Sequence, residues 1–226
     1  MNRFIPVISL LAILLTGAAA QAVVVTLGND APGFDDGDVP TTPELAAAQS
    51  GSPAPFDTGL GNDVLASIGD FSASWTFSYL APADPISSAS LTIGIADHDS
   101  AAAGSQLSSF VIDGNDLTAE LDALFEAAGG AGDGQYRVYA LALPGSLFAD
   151  LADGSTDVAL GLTGPGLVTP LFPLPGPNPP EPTDTNGAHL VFARLEIEAV
   201  PEPSVMLLCT LALLGTGVAL RADGSR

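Results

Sequence analysis

Residues 71–79 alternate between apolar and hydroxyl-bearing side chains. The odd positions hold Phe71, Ala73, Trp75, Phe77 and Tyr79, and serine or threonine fills the even positions. Successive side chains of a β-strand point to opposite faces of the sheet, so this period of two predicts a strand with one buried face and one hydroxyl-covered face. Trp75 is therefore expected in the core, and the apolar face needs a second layer to cover it.

The same pattern recurs along the chain and predicts a mainly β fold. Residues 89–95 place Leu91, Ile93 and Ile95 on one face. Further strands are predicted at 23–27, 107–112, 136–143, 157–163 and 189–198, which makes about seven in all. Two short helices are predicted, one between Asp116 and Gly129 and one over 144–151. We expect an antiparallel β-sandwich that is jelly-roll-like, with residues 28–61 and the proline-rich 164–187 irregular.

The charge of the chain is strongly one-sided. It has 26 acidic and 5 basic residues and a formal net charge of −21, which excludes most nucleic-acid binders because they need a basic face. With 47% hydrophobic residues, the chain is too apolar for a solvated polyanion, so a folded core is expected. Arg137 and Arg194 are the only basic residues between positions 23 and 200.

The N-terminus has the pattern of a secretory signal peptide over residues 1–22. Arg3 precedes an apolar run over 4–15, and small residues follow, which predicts cleavage by signal peptidase after Ala20 or Ala22. The only cysteine, Cys209, lies outside residues 23–199, the predicted acidic β-sandwich domain. That domain is therefore expected to fold without a disulfide.

The C-terminal segment, residues 200–226, combines an apolar run with flanking charges. The uncharged residues 205–220 are slightly short of the roughly 17 to 25 residues that span a bilayer, so a transmembrane helix is expected over about 204–220. Arg221 and Arg226 follow it and predict that the tail end faces the cytoplasm.

The segment also resembles the PEP-CTERM sorting signal. The resemblance rests on Pro201, Glu202 and Pro203, the apolar helix with Leu-Gly-Thr-Gly at 214–217, and the basic end, and it covers about the last 26 residues. It implies recognition and removal of the tail by a membrane-embedded exosortase-type enzyme, in a Gram-negative protein associated with exopolysaccharide or biofilm matrix. The chain departs from the family in that its terminal arginines are not contiguous.

Two loops are candidates for a calcium site. Asp97 and Asp99 follow one predicted strand, and Asp113, Asn115 and Asp116 follow the next. Calcium takes six to eight oxygen ligands, which aspartate and asparagine supply, although both are also ordinary turn residues. The acidic residues of the Asp35-Asp36-Gly37-Asp38 stretch form a second candidate. No other metal or cofactor is expected.

Glycan binding would use an exposed aromatic ring. Tyr139 shares a predicted strand face with Arg137 and is the ring expected to be exposed. No nucleophile elbow, zinc-protease motif or phosphate loop occurs, and of the two histidines, His98 and His189, the latter is expected at a sheet edge.

The sequence therefore predicts a non-enzymatic, exported and surface-anchored protein of the cell envelope or matrix. A carbohydrate-binding or calcium-binding module is the alternative, and a glycoside hydrolase, which needs only two carboxylates, is the third.

Overall fold

The computed structural model describes residues 21–59, 71–101, 107–132, 134–163 and 188–200. The strands in these ranges are β1 (Gln21–Gly28), β2 (Phe71–Ser78), β3 (Ile86–Ala96), β4 (Leu107–Ile112), β5 (Asn115–Asp116), β6 (Tyr136–Ala142), β7 (Ser155–Leu162) and β8 (His189–Ala199). The α-helices are α1 (Thr42–Gln49), α2 (Thr118–Phe125) and α3 (Phe148–Leu151). Short 3-10 helices cover Ala127–Gly129 and Gly145–Leu147.

The strands form two antiparallel sheets of four. The first sheet has the order β1-β8-β3-β6, and the second sheet has the order β2-β7-β4-β5. Strands distant in sequence become neighbours: Gln21 pairs with Ala199 in the first sheet, and Phe71 pairs with Leu162 in the second. The prediction of a mainly β, antiparallel sandwich is confirmed, with one more strand than expected, the two-residue β5.

The core lies between the sheets and contains the residues that the alternation placed there. Trp75 and Phe77 of the second sheet share one buried cluster with Leu91, Ile93 and Ile95 of the first. Phe56 also enters this cluster and meets the Trp75 ring edge-on at 5.5 Å between centroids. The expectation that Trp75 belongs to the core is confirmed.

A second, smaller apolar cluster covers part of the outer face of the first sheet. Leu45 and Ala48 of α1 pack with Tyr136, Val191 and Phe192 of the sheet. The side chain of Gln49, at the end of α1, donates to the carbonyls of Thr58 (2.9 Å) and Leu190 (3.1 Å). These bonds hold α1 and the loop after it against β8.

The prediction that residues 28–61 are irregular is wrong, because it missed α1. Thr41 donates from its backbone N–H (2.7 Å) and its hydroxyl (2.8 Å) to the Glu44 carboxylate. This threonine-to-glutamate spacing, with Pro43 in the first turn, is a helix start signal that the local density of Pro, Gly and Asp obscured.

His189 opens β8 and pairs with Ala96 of β3, whereas the pairing of β8 with β1 ends at Phe192. Its Nδ1 is 3.0 Å from the Gln49 Oε1, and burial lowers the pKa of its imidazole. The two predicted helices are present, α2 close to its expected bounds and the second as a 3-10 turn followed by α3.

Several expectations lie outside the described residues. These are most of the signal peptide (1–20), the irregular segment 164–187, the sorting motif Pro201-Glu202-Pro203 and the transmembrane helix at 204–220. In the described ranges, none of the helices has the length and apolar character needed to cross a bilayer.

Candidate functional site

The end of β3 runs into four consecutive buried polar residues, Asp97, His98, Asp99 and Ser100, none more than 5% exposed. Asp97 and Asp99 adopt positive φ angles of 61° and 49°, in the left-handed region where aspartate is one of the few tolerated side chains besides glycine. We call this segment the buried polar turn.

The buried polar turn ties three elements together. The Asp97 carboxylate accepts from the Gly134 N–H at 2.8 Å, just before β6. The Ser100 hydroxyl donates to the carbonyl of Phe125, the last residue of α2, at 2.8 Å and accepts from the Ala131 N–H at 2.6 Å. The two side chains thus satisfy backbone groups at a helix end and a strand start, where they would otherwise be buried without partners.

His98 is the most deeply buried titratable base in the described chain. Its Nε2 lies 2.8 Å from the Tyr139 hydroxyl, and its ring centroid is 4.5 Å from that of Phe125. Burial, followed by the nearby Arg137 guanidinium, lowers the pKa of His98 to about 3. The imidazole is therefore neutral near pH 7, and at 1% exposure it is out of reach of a substrate.

Tyr139 does not provide an exposed ring, so that prediction is wrong. The side chain is 7% exposed and packs against both His98 and Phe125, with its ring centroid 5.3 Å from that of His98 and 4.6 Å from that of Phe125. The face that it shares with Arg137 is the inner face of the first sheet, which α2 covers at this end. A ring enclosed in this way cannot serve as a platform for a sugar.

Asp113, Asn115 and Asp116 lie in a different place, at the β4–β5 hairpin. Asp113 has a φ of 47°, and its Oδ1 accepts from the Asp157 N–H at 2.7 Å. The Asp116 Oδ1 accepts from the Thr118 hydroxyl (2.5 Å) and N–H (3.0 Å) at the start of α2, and these bonds lower the pKa of Asp116. Asn115 donates to the Asp113 carbonyl and to the Asp150 carboxylate.

The environment of Asp113 disfavours the ionised form of its carboxyl group. Burial raises its pKa, and the carboxylates of Asp157, Asp150 and Asp153 raise it further, while the hydrogen bond from the Asp157 N–H opposes them. Its Oδ2 is buried and has no hydrogen-bond partner within the described residues.

The five residues expected to bind calcium are thus divided between two sites. Asp97 contacts the segment before β6, whereas Asp113 contacts β7, and α2 runs between the two loops. Across the described ranges, no group of three or more Asp, Glu, His or Cys side chains is arranged to hold a metal ion. Within the described residues the five side chains are therefore not grouped as one site, and calcium binding stays a prediction.

The Asp35–Asp38 stretch also has a structural role. The backbone of Gly37 and Asp38 pairs with Tyr136, and the Asp36 carboxylate accepts from the Val138 N–H at 2.9 Å and lies 3.7 Å from the Arg137 Nε. These bonds cover part of the edge strand β6, which would otherwise present free backbone groups to another chain.

A recess of about 460 Å³ lies on the outer face of the second sheet. We call it the hydroxyl recess; its lining includes Ser74, Thr76, Val111, Gly114, Asp157 and Ala159. The Thr76 hydroxyl donates to the Asp157 Oδ1 at 2.6 Å. The period-two pattern predicted the hydroxyl face of β2, but the neighbours that complete the recess come from distant β7 and β4.

No known family model matches the chain, and no curated protein matches it either.

Proposed function

We propose that this chain is an exported, non-enzymatic protein of the cell envelope or extracellular matrix, sorted through Pro201-Glu202-Pro203. The observation that supports this is the position of the motif. β8 ends at Ala199, the Val200 N–H donates to the Pro85 carbonyl at 3.1 Å, and the motif begins at the next residue. A processing enzyme acting there would remove none of the described strands.

The finer details of the proposal follow the same logic. The order β1-β8-β3-β6 over β2-β7-β4-β5 supports a jelly-roll-like fold, in which a long antiparallel ribbon is wound into two sheets. β1 begins at Gln21, which pairs with Ala199. Of the two expected signal peptidase frames, cleavage after Ala20 keeps every described pair of this strand, whereas cleavage after Ala22 would remove two paired residues.

The test is the intact mass and terminal sequence of the protein recovered from its native cell surface and medium. We expect an N-terminus at Gln21 and loss of the tail beyond the Pro-Glu-Pro region. Glu202→Ala should abolish the C-terminal cut, whereas Asp223→Ala, an acidic-to-alanine change in the same tail, should leave it in place. A wild-type chain that ends at Arg226 in the membrane fraction would refute exosortase-type sorting.

The charge of the domain sets how it would associate with a matrix. Its surface is strongly negative, so an anionic exopolysaccharide is repelled unless divalent cations bridge the two polyanions. We expect calcium or magnesium to retain the protein in the matrix and a chelator to release it. Unchanged retention in excess chelator, with the protein still folded, would refute cation bridging.

A further inference from the structure

We propose that the hydroxyl recess binds a neutral sugar residue. The inference deepens the proposed matrix function, on which its biological meaning rests, and it moves glycan recognition from Tyr139 to the outer face of the second sheet. Three observations support it: the shape of the recess, its polar groups, and the absence of basic side chains from its lining in the described chain.

The shape follows from the strand register. Ser74 pairs with Ala159 and Thr76 pairs with Asp157 across β2 and β7, while Val111 of β4 pairs with Ala159 from the other side. Small side chains in the middle of this face leave space above the sheet, and Gly114 of the β4–β5 hairpin lines it as well. A volume of about 460 Å³ is within the usual range of small-molecule sites, roughly 300 to 1,000 Å³.

The polar groups suit a ligand that both donates and accepts hydrogen bonds. The Asp157 carboxylate takes one proton from Thr76, and a carboxylate has about four lone-pair positions, so acceptor capacity remains for ligand hydroxyls. The Ser74 hydroxyl can donate or accept. Val111 and Ala159 add an apolar patch against which the C–H face of a sugar ring can pack.

The charges in and around the recess disfavour anionic ligands and bare cations. No Lys, Arg or His lines it, and Asp157 lies inside with Asp113 bonded to the Asp157 N–H, so an anionic ligand would be repelled. A bare cation would need more oxygen ligands than the one lining carboxylate and two hydroxyls supply. A neutral, hydroxyl-rich ring satisfies both conditions.

The experiment is an NMR titration of the isotope-labelled full chain, held in detergent micelles, with D-glucose, D-galactose and D-mannose. We expect at least one sugar to shift the backbone amides of β2, β4 and β7 around the recess in a saturable way. Sodium glucuronate should bind about tenfold more weakly because of repulsion by Asp157. Calcium chloride serves as the competing probe.

Two variants and a control decide the location. Ser74→Leu fills the recess from an exposed position and should abolish the shifts, whereas Ser78→Leu, on the same face of β2 but outside the recess, should not. Asp157→Asn keeps an acceptor for Thr76 and should weaken binding by about tenfold. Unchanged amide shifts in the core show that each variant is folded.

The proposal is overturned if none of the three sugars gives saturable shifts, if Ser74→Leu binds as well as the wild type, or if only calcium shifts these amides. Sugar binding is measured on purified protein and does not depend on processing of either end. A failure of the sorting test and a failure of the recess test can therefore be told apart.

Discussion

His98 is a base kept neutral inside a strongly acidic protein. The sequence places it between two aspartates, a setting that would normally favour the charged imidazolium. In the fold its ring instead meets Phe125 and the Tyr139 hydroxyl, and burial, followed by the nearby Arg137 guanidinium, lowers the pKa of the imidazole. Between about pH 3 and 6.5 the His98 imidazole is neutral in the folded chain and protonated in the unfolded chain. The free energy of unfolding therefore depends on pH through this residue.

We expect His98 to make the protein progressively less stable in acid. Its pKa falls from 6.5 to about 3 on folding, so its full contribution is present above about pH 6.5 and is lost as the pH falls toward 3. The expected slope from this residue is about 1.4 kcal/mol per pH unit within that window. Urea unfolding at a series of pH values measures it.

The variants separate this effect from the titration of the carboxylates, which is common to all chains. Tyr139→Phe removes the hydroxyl partner but keeps the imidazole, so it should lose stability and keep the acid slope. The double variant His98→Phe with Tyr139→Phe should lose the slope relative to Tyr139→Phe. Equal slopes in these two chains would contradict a role for His98.

The sequence predicts the burial of a side chain correctly where the burial depends on one strand alone. The prediction fails where the burial depends on a second element that packs over the strand. Trp75 was placed correctly because alternation alone fixes its face. Tyr139 was assigned to the correct strand face, but whether that face is covered depends on α2, which packs there through Phe125. No local signal shows which helix covers which strand face.

At the scale of elements, the contact between α1 and the first sheet depends on one glycine in β3. Gly94 lies beneath the Phe192 ring and the Tyr136 hydroxyl, and a Cβ atom built at this position would come within 2.4 Å and 2.5 Å of them. Both side chains belong to the apolar cluster that includes Leu45 and Ala48 of α1. A methyl group here would have to displace the aromatic layer that supports the helix.

We expect Gly94→Ala to destabilise the protein by about 1 to 3 kcal/mol, although alanine normally suits a strand better than glycine. Gly132→Ala is the matched control, because a Cβ there meets no atom within 4 Å, and its effect should stay within about 0.5 kcal/mol. Thermal or urea unfolding of both variants measures the difference. Equal stabilities would mean that the aromatic layer adjusts without cost.

The strands were predicted to within about three residues at each end, because their apolar alternation is local information. Their partners were not predicted, since β1 with β8 and β2 with β7 join residues that are far apart in the sequence. The hydroxyl recess is an example. The alternation in the sequence predicts the Ser74 and Thr76 side of the recess, whereas Asp157 and Val111 lie beside it only because β7 pairs with β2 and β4. Asp97 and Asp99 are predicted from the sequence as candidate ligands, and only the fold shows that they belong to a buried turn.

For the whole molecule, the formal net charge of −21 means that most carboxylates have no basic side chain to balance them. In the described ranges, the ion pairs join Arg137 to Asp36 and Arg194 to Asp30 and Glu196, all on the side of the first sheet. Most carboxylates therefore repel one another without a nearby cation. The apolar core stabilises the fold against this repulsion.

We expect sodium chloride to raise the urea midpoint of unfolding at neutral pH, because it screens the repulsion. Between low and physiological salt the free energy of unfolding should rise by an amount on the order of 1 kcal/mol. At a pH below the carboxylate pKa values the same salt should have little effect, since the charges are gone. A midpoint that falls or stays constant with salt at neutral pH would contradict the repulsion.

The pairing of Gln21 with Ala199 brings the first and last described strands side by side at one corner of the sandwich. Directly opposed residues of an antiparallel pair have Cα atoms only about 5 Å apart, so a linker of a few residues could close the backbone into a ring. New termini could then be opened at an exposed turn such as the one containing Leu80, giving a circular permutant with the same sheets. For the same reason the whole sandwich could be inserted into a surface loop of a host protein, because its two connections to the host would lie next to each other.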